Sequence, residues 1–285
     1  MEDKKDLLSR IKDNYNKLSK GQKLIATYVM DNYDKVAFMT ASKLGDNVGV
    51  SESTVVRFAN ALGYKGYPNL QKELQELIKT KLTTIQRVEL SDAYKDQSFF
   101  KKVMQSDVDN IMKTIDELNT EKFNEVVDKV VKAKTVYVFG LRSSTVIAEY
   151  LAFYLNYTLD NVKIVPSGIN DVMDQLITIN EDDVFIGLSF PRYSKKTYEV
   201  IKFVKEKNAT VIGITDSLLS PISEFADISL IAKSNMASFI DSLVAPMSLV
   251  NALIIAISTV DKKHLTDKLN VLENTWKKYD IYIDK

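Results

Sequence analysis

Between residues 135 and 232 five short β-rich runs alternate with helical stretches, and that alternation leaves few architectures open. The runs are TVYVFG from Thr135, VKIVP from Val162, DDVFIGLSF from Asp182, TVIGITD from Thr210 and DISLIA from Asp227. Each is short and rich in β-branched or aromatic residues, and the segments between them carry helical periodicity. The pattern predicts a five-stranded parallel sheet with helices on both faces, an α/β/α sandwich joined by right-handed crossovers. Ligands of such sheets bind beyond the carboxyl ends of the strands.

Two strand ends carry the residues to watch. The first run closes on Gly140, Leu141, Arg142, Ser143, Ser144 and Thr145; the third closes on Ser189, Phe190, Pro191, Arg192, Tyr193 and Ser194, with Thr197 one turn into the next helix. Each loop offers hydroxyls and free N–H groups at a helix N-terminus, the combination that holds a phosphate or another anion. Serine and threonine are also plain helix caps. With two arginines added, the expectation is a phosphorylated small molecule held by Arg142, Ser143, Ser144, Ser189, Arg192, Ser194 and Thr197. A dinucleotide fits less well, because Gly140 stands alone rather than in G-x-G-x-x-G and the second run ends in Val165, Pro166 and Ser167 with no acid for a ribose. No Gly-Lys-Ser or Gly-Lys-Thr occurs, so a P-loop is missing too. No cofactor and no metal are expected.

The first eighty residues have a different texture, helical throughout. Leu7, Leu8, Ile11, Tyr15 and Leu18 mark one amphipathic helix, Ser19 and Gln22 form a capping box, and Leu24, Ile25, Tyr28 and Val29 continue a second. Residues 40–62, TASKLGDNVGVSESTVVRFANAL, then show the spacing of a helix-turn-helix. Thr40 caps a helix through Leu44 to Val48, Gly49 and Val50 make the corner, and the Ser51 hydroxyl caps the second helix. Val55, Phe58, Ala59 and Leu62 point inward, while Ser53, Arg57 and Asn60 share the outer face. Arginine pairs with guanine and asparagine with adenine in the major groove, so Thr40, Ser51, Ser53, Thr54, Arg57, Asn60 and Lys65 are the candidate DNA contacts. A merely solvated helix face is the plainer alternative. Gly63 ends the second helix, and Leu70, Leu74, Leu77 and Ile78 begin another.

Length and charge agree with two domains. The chain has 285 residues, 45% of them hydrophobic, which divides into an all-helical unit over 1–80, a polar connection over 81–106 and an α/β unit over 107–285. Helical periodicity resumes through Val108, Ile111, Met112, Ile115 and Leu118, then through Phe123, Val126, Val127, Val130 and Val131. Net charge is zero, with 38 basic and 38 acidic residues, yet residues 1–90 hold 15 Lys or Arg against 11 Asp or Glu, a net of +4. An excess that small predicts weak DNA binding by one copy and points to two copies per site. There are no cysteines, which excludes disulfides and thiolate chemistry. The early sequence has no signal-peptide pattern, and no run reaches the ~18 apolar residues of a membrane span. The longest candidate, Leu243 to Val260, is broken by Pro246, Ser248, Asn251 and Ser258. A cytoplasmic protein without a membrane partner is expected. A long helix is expected from Ala237 to Val260; Phe239, Ile240, Leu243, Val244, Leu249, Val250, Leu253, Ile254 and Ile257 suit either interior burial or a subunit interface.

A helical reader ending VSESTVVRFANALGYKGYP, followed by an α/β unit with FGLRSS and SFPRYSKKT, resembles the RpiR family of bacterial transcription regulators. The resemblance spans essentially the whole chain and implies a sugar isomerase (SIS) fold for the second domain. It further implies a phosphorylated sugar as effector, a homodimer or homotetramer, a double-stranded DNA operator and phosphate contacts at Ser143, Ser144, Ser189, Ser194 and Thr197. The second loop departs from the common S-x-S-G-x-T pattern, because Pro191 removes both a hydroxyl and an N–H donor. That shifts weight toward Arg142 and Arg192 and toward an arginine-held phosphate or carboxylate.

SIS domains also occur in isomerases, so catalysis has to be weighed on chemistry. Aldose–ketose isomerisation needs a base beside the sugar carbon and a second acid-base group. The single histidine, His264, lies in the polar run DKKHLTDK, Asn251 takes no proton, and Glu149 reads as a solvated helix residue. The reading is a regulator rather than an enzyme; a sugar-phosphate isomerase and a sugar-phosphate-binding adaptor acting on another protein are the alternatives.

Overall fold

The structure, a computed structural model, describes residues 7–81, 83–90, 99–166, 168, 171–236 and 240–283. Ser167, Ala237, Phe239 and residues 91–98 lie outside it, as do the side chains of Leu8 and Ile78. The chain divides into two compact units, Met1–Glu89 and Leu90–Lys285.

The first unit is helical: α1 (Leu7–Asn14), α2 (Lys20–Val36), α3 (Ala41–Val48), α4 (Glu52–Ala61) and α5 (Tyr67–Lys81), with α6 (Thr84–Leu90) at its boundary. The capping box forms as the sequence predicts: Gln22 N–H donates to Ser19 Oγ at 3.4 Å, and Ser19 N–H donates to Gln22 Oε1 at 2.9 Å. Leu7, Ile11, Ile25, Val29, Leu44, Val55, Phe58, Leu70 and Leu74 make one buried core. The last turn of α2 has carbonyls with no helical partner, and α5 supplies donors for them and for the chain just beyond. Tyr67 Oη donates to Val36 O (3.3 Å) and Met39 O (2.8 Å), Gln71 Nε2 donates to Met39 O (2.8 Å), and Gln75 Nε2 donates to Ala37 O (3.0 Å). Burial pushes the Tyr67 phenol up to about 12.

The second unit opens with α7 (Phe99–Glu117) and α8 (Thr120–Lys132). Then follow β1 (Val136–Gly140), α9 (Ser144–Thr158), β2 (Val162–Ile164), α10 (Val172–Gln175), β3 (Val184–Leu188), α11 (Lys195–Glu206), β4 (Thr210–Thr215), β5 (Ile228–Ile231), α12 (Val244–Ser258) and α13 (Lys262–Lys278). The sheet is five-stranded and parallel in the order β2-β1-β3-β4-β5, with Val136 opposite both Val162 and Val184, Val184 opposite Thr210, and Ile212 opposite Ile228. Alternation along β1 sends Val136 and Val138 to one face, against α8, α9 and α12, through Val126, Val130, Ile147, Leu151, Leu253 and Ile257. Tyr137 and Phe139 face the other way, against Val172 and Leu176 and against Val200, Ile201 and Val204 of α11. Fully buried strands tolerate such near-continuous hydrophobic runs.

Two expectations change. The long helix does not begin at Ala237: residues 240–243 are non-helical and α12 starts at Val244, two residues before Pro246. Proline has no N–H to give to a preceding turn, so it belongs in the first turn of a helix. The stretch read as a polar connection over 81–106 contains α6 and the first two turns of α7. The periodicity through Val108 and Ile115 therefore starts nine residues earlier, at Phe99.

Candidate DNA-reading helix and anion site

The helix-turn-helix closes around two glycines. Gly49 ends α3 with φ of 76°, and Val50 N–H donates to Gly45 O at 2.9 Å. A side chain at Gly49 would be strained in this left-handed conformation. Gly45 sits against the corner itself: a Cβ there would lie 2.7 Å from Val50 O. Only a glycine allows the corner to fold back on α3, a role the sequence analysis missed although an exposed-looking glycine inside an eight-residue helix was its signal.

Thr40 caps α3, its Oγ1 accepting from Lys43 N–H at 3.2 Å. Ser51 occupies the cap position of α4, but its hydroxyl does not bond the backbone as expected. It instead meets Ser53 Oγ and Thr54 Oγ1, each at 2.9 Å, so three hydroxyls are tied together at the start of the helix. Val55, Phe58, Ala59 and Leu62 are buried, as their spacing predicts. Ser53, Arg57 and Asn60 are exposed, Arg57 lying back along the helix with Nε on Ser53 O (3.2 Å) and Nη2 on Ser53 Oγ (3.3 Å). Lys65 is exposed in the following turn, and Gly63, with φ of 87°, ends the helix. Thr54 is half-buried: a Cβ on Gly21 would sit 3.3 Å from its methyl, so this residue braces α4 on α2.

In the second unit the strand order creates a switch point. From β1 the chain crosses to β2 on one side, from β3 to β4 on the other, and the crossover helices α9 and α11 pack on opposite faces. In folds of this kind ligands bind beyond the carboxyl ends of the strands where the order reverses, here between β1 and β3. Gly140 pairs with Leu188, so the two candidate loops leave neighbouring strands at the same level, about 4.8 Å apart. The first gathers Arg142, Ser143 and Ser144; the second gathers Ser189, Arg192, Ser194 and Thr197.

The two loops share an uncommon backbone feature. Arg142 and Arg192 both have φ of 57°. Left-handed backbone costs a non-glycine residue roughly 1–2 kcal/mol, and such strain concentrates at ligand clamps. Neither sequence pattern announced it. At Gly140 a Cβ would lie 2.6 Å from Ser144 O, so the start of α9 rests directly on the strand end.

The hydroxyls do not all act as caps. Ser143 precedes α9 in a helical conformation and makes no side-chain cap bond. Ser194 does cap α11, accepting from Thr197 N–H at 3.4 Å. Ser144 and Ser189 are buried, at 4% and 3% exposure. Thr197, at 1%, leaves Oγ1 without a hydrogen-bond partner in the first turn of α11, and a buried hydroxyl in that state calls for a partner. Phe190 and Pro191 are buried; Phe190 joins the apolar core beneath the sheet end. The residues that displace the usual S-x-S-G-x-T pattern thus serve packing.

One acid escaped the sequence analysis. Asp216, at the end of β4 and 1% exposed, accepts from Tyr193 Oη at 2.7 Å and ties the β3 loop to the next strand. An aspartate closing the run TVIGITD was the available signal. Asp171 caps α10 through Met173 N–H (2.9 Å) and meets Lys196 Nζ (3.2 Å), and these two contacts, in that order, lower its pKa. Of the residues weighed as acid-base groups, His264 on α13 has Nε2 3.3 Å from Asp160 in the α9–β2 turn, Asn251 Oδ1 accepts from Tyr150 Oη at 2.8 Å, and Glu149 is exposed on α9.

Comparison with known proteins follows the same division. Residues 5–81 match the helix-turn-helix domain of the rpiR family and residues 129–256 match the SIS domain. An uncharacterized HTH-type transcriptional regulator of Haemophilus influenzae is 32% identical over 231 residues, 79% of each chain. HexR of Pseudomonas aeruginosa, also an HTH-type transcriptional regulator, is 24% identical over 217 residues, 74% of this chain and 73% of its own. Among solved structures, the sugar isomerase domain of an RpiR transcription factor from Sphaerobacter thermophilus aligns with a TM-score of 0.60 and 24% identity, over 62% of this chain and 99% of its own. The Vibrio vulnificus NanR protein, complexed with ManNAc-6P, aligns with a TM-score of 0.56 and 21% identity, over 96% of this chain and 99% of its own. A helix-turn-helix unit joined to a SIS unit, in a chain so similar to the H. influenzae regulator, places the protein in the RpiR family of HTH-type transcriptional regulators.

Proposed function

We propose that this protein controls the transcription of sugar-metabolism genes, its affinity for a double-stranded operator set by a phosphorylated sugar bound between the β1 and β3 loops. The observation that carries the ligand half is the switch-point pair of loops, each with a left-handed arginine and a helix start, one of them holding the unpartnered Thr197 hydroxyl. NanR, which shares the fold and was seen with ManNAc-6P, supports the ligand class. In this chain the phosphate contacts are Ser143, Ser144, Ser189, Ser194 and Thr197, with Arg142 and Arg192 adding charge. On the DNA side Ser53, Arg57 and Asn60 face the bases, and Thr40, Ser51, Thr54 and Lys65 approach phosphates.

The protein acts in the cytoplasm as a homodimer or homotetramer, because a unit with so small a basic excess needs a second copy to hold a site. Among the described residues no single helix is long and apolar enough to cross a membrane. Catalysis is not part of this function: the acid-base candidates His264 and Glu149 lie on α13 and on the exposed side of α9, and an isomerase has no use for α3 and α4.

A mobility-shift titration on duplex DNA from the protein's own promoter region tests the first half. Sequence-selective binding that weakens steeply with salt is the expected result, and no binding at low salt overturns it. A thermal-shift screen of hexose, amino-sugar and acidic-sugar phosphates tests the second, since ligand at a hundred times its Kd stabilises by ~2.7 kcal/mol. The double variant Ser144→Ala, Ser189→Ala is expected to lose that shift while keeping DNA binding.

A further inference from the structure

Ser51 stands before α4, where a serine ordinarily accepts from the helix backbone as Thr40 does before α3, yet it makes no such bond. Its hydroxyl belongs to a chain of side chains instead. Arg57 Nε donates to Ser53 O (3.2 Å) and Arg57 Nη2 donates to Ser53 Oγ (3.3 Å). Ser53 Oγ lies 2.9 Å from Ser51 Oγ, which in turn lies 2.9 Å from Thr54 Oγ1. Arginine can only donate, so Ser53 Oγ accepts from it and keeps its own proton for Ser51, whose proton then serves Thr54. Thr54 is half-buried, its methyl against Gly21 of α2. The exposed Arg57 is thereby tied through three hydroxyls to the packed frame of the reader. A cap rule is broken here, and departures of that kind concentrate at functional sites.

Which edge of the guanidinium is occupied decides what the rest can do. Nε and Nη2 share one side of the planar group, and both donate to Ser53. The end of the fork, Nη1 with the second N–H of Nη2, takes no part in either bond and presents two parallel donors. In the major groove guanine alone sets two acceptors side by side, O6 and N7; adenine sets an N6 donor beside N7. We propose that Ser53 is a positioning residue for operator recognition, holding Arg57 by its side edge so that the end edge reads one guanine. Ordering a long side chain at the moment of binding costs affinity, and a serine that orders it beforehand lowers that cost. The gain falls on base readout, because paired base acceptors demand one orientation and phosphate contacts carry no sequence information. The role rests on the reading of α4 as the DNA-reading helix and deepens it by naming the base and the residue behind its selection.

The probe is a duplex selected from a random-sequence pool by the full-length wild-type protein, with each G·C pair replaced in turn by A·T. One such replacement is expected to weaken wild-type binding by about tenfold or more. Ser53→Ala is expected to bind the selected duplex about tenfold more weakly and to feel that replacement by no more than about twofold. Its affinity for random duplex and its salt dependence are expected to match the wild type, as is its melting temperature, since Ser53 is exposed. Ser53→Thr keeps the hydroxyl and is expected to restore the discrimination. In an Arg57→Lys background, which keeps the charge without the fork, Ser53→Ala is expected to change nothing further. An undiminished G·C penalty in Ser53→Ala overturns the positioning role. Tighter binding by Ser53→Ala also overturns it, since the bond would then park Arg57 away from DNA, and so does an equal loss in the Arg57→Lys background, which would make Ser53 a direct contact. Arg57→Ala separates this role from the reading beneath it. If Arg57→Ala loses selectivity and Ser53→Ala keeps it, only the positioning role falls; if the wild type selects no duplex, the reader falls and the role with it.

Discussion

Helices α4 and α7 are both two-faced, and they face opposite ways. In α4 the apolar side, Val55, Phe58 and Ala59, is buried and the polar side, Ser53, Arg57 and Asn60, meets solvent. In α7 the polar residues Asn110 and Thr114 are buried and the apolar residues Phe100, Met104, Val108, Met112 and Ile115 are exposed, while Val103 and Ile111 are half-buried. Periodicity alone is identical in kind for both; it reports that a helix has two environments and not which of them is water. The polar face of α4 is built for a polar partner such as DNA.

The contrast can be broken most forcefully at its buried residues. Phe58→Ala should cost about 3–5 kcal/mol and unfold the N-terminal unit in a thermal melt, because the ring is fully enclosed. Val108→Ala, an equally apolar truncation, should leave monomer stability within about 0.5 kcal/mol. If Val108→Ala were as damaging as Phe58→Ala, the exposed apolar residues of α7 would be core and the contrast would fall.

On α7 the sensitive position should be polar. Asn110→Leu keeps the volume but strands the Asn235 N–H and C=O, and a loss of about 1–3 kcal/mol in chemical denaturation is expected. On α4 the polar position Arg57 should matter only when DNA is present. Arg57→Ala is expected to weaken selective operator binding by ~1–3 kcal/mol without lowering the melting temperature, while an equal loss on random duplex would make it a phosphate contact.

The N-terminal unit should also respond to base. Burial raises Tyr67 from 10.0 to about 12. A folded-state pKa above the unfolded one gives a stabilisation that is complete below pH 10 and is lost as pH rises through 12. Tyr67→Phe should remove that part of the alkaline loss in a pH-dependent melt. The smallest effect is expected at Arg142→Gly, where relief of the left-handed backbone outweighs the added chain entropy by about 0.5 kcal/mol. That variant should melt slightly higher and respond less to sugar phosphate.

The two halves were legible to different depths. In residues 40–62 nearly everything was local, so caps, corner and inward face could be placed residue by residue. Gly45 and Ser51 were the exceptions: the first is needed for a close approach of Val50 that the local pattern does not show, and the second has the Ser53 and Thr54 hydroxyls within reach in place of the backbone. The five strands were legible as strands, and their loops as anion-binding candidates. Thr197 could be singled out, but its unpartnered Oγ1 could not, since being buried without a partner is a property of the surroundings. Asp216 went unnoticed because its partner Tyr193 is 23 residues away.

By itself the sequence determined what hydrogen bonds and periods over a few residues determine: which segments are helices and which are strands, that Thr40 caps the first helix of the reader, and that Gly49 must turn. Only the tertiary structure decided which strands are neighbours, and so where the switch point lies. It also decided that Arg142 and Arg192 are held left-handed and that α7 turns its polar side inward. These depend on what lies across space from each residue, and a chain's local preferences carry no record of that until the sheet has assembled and its edges have found their partners.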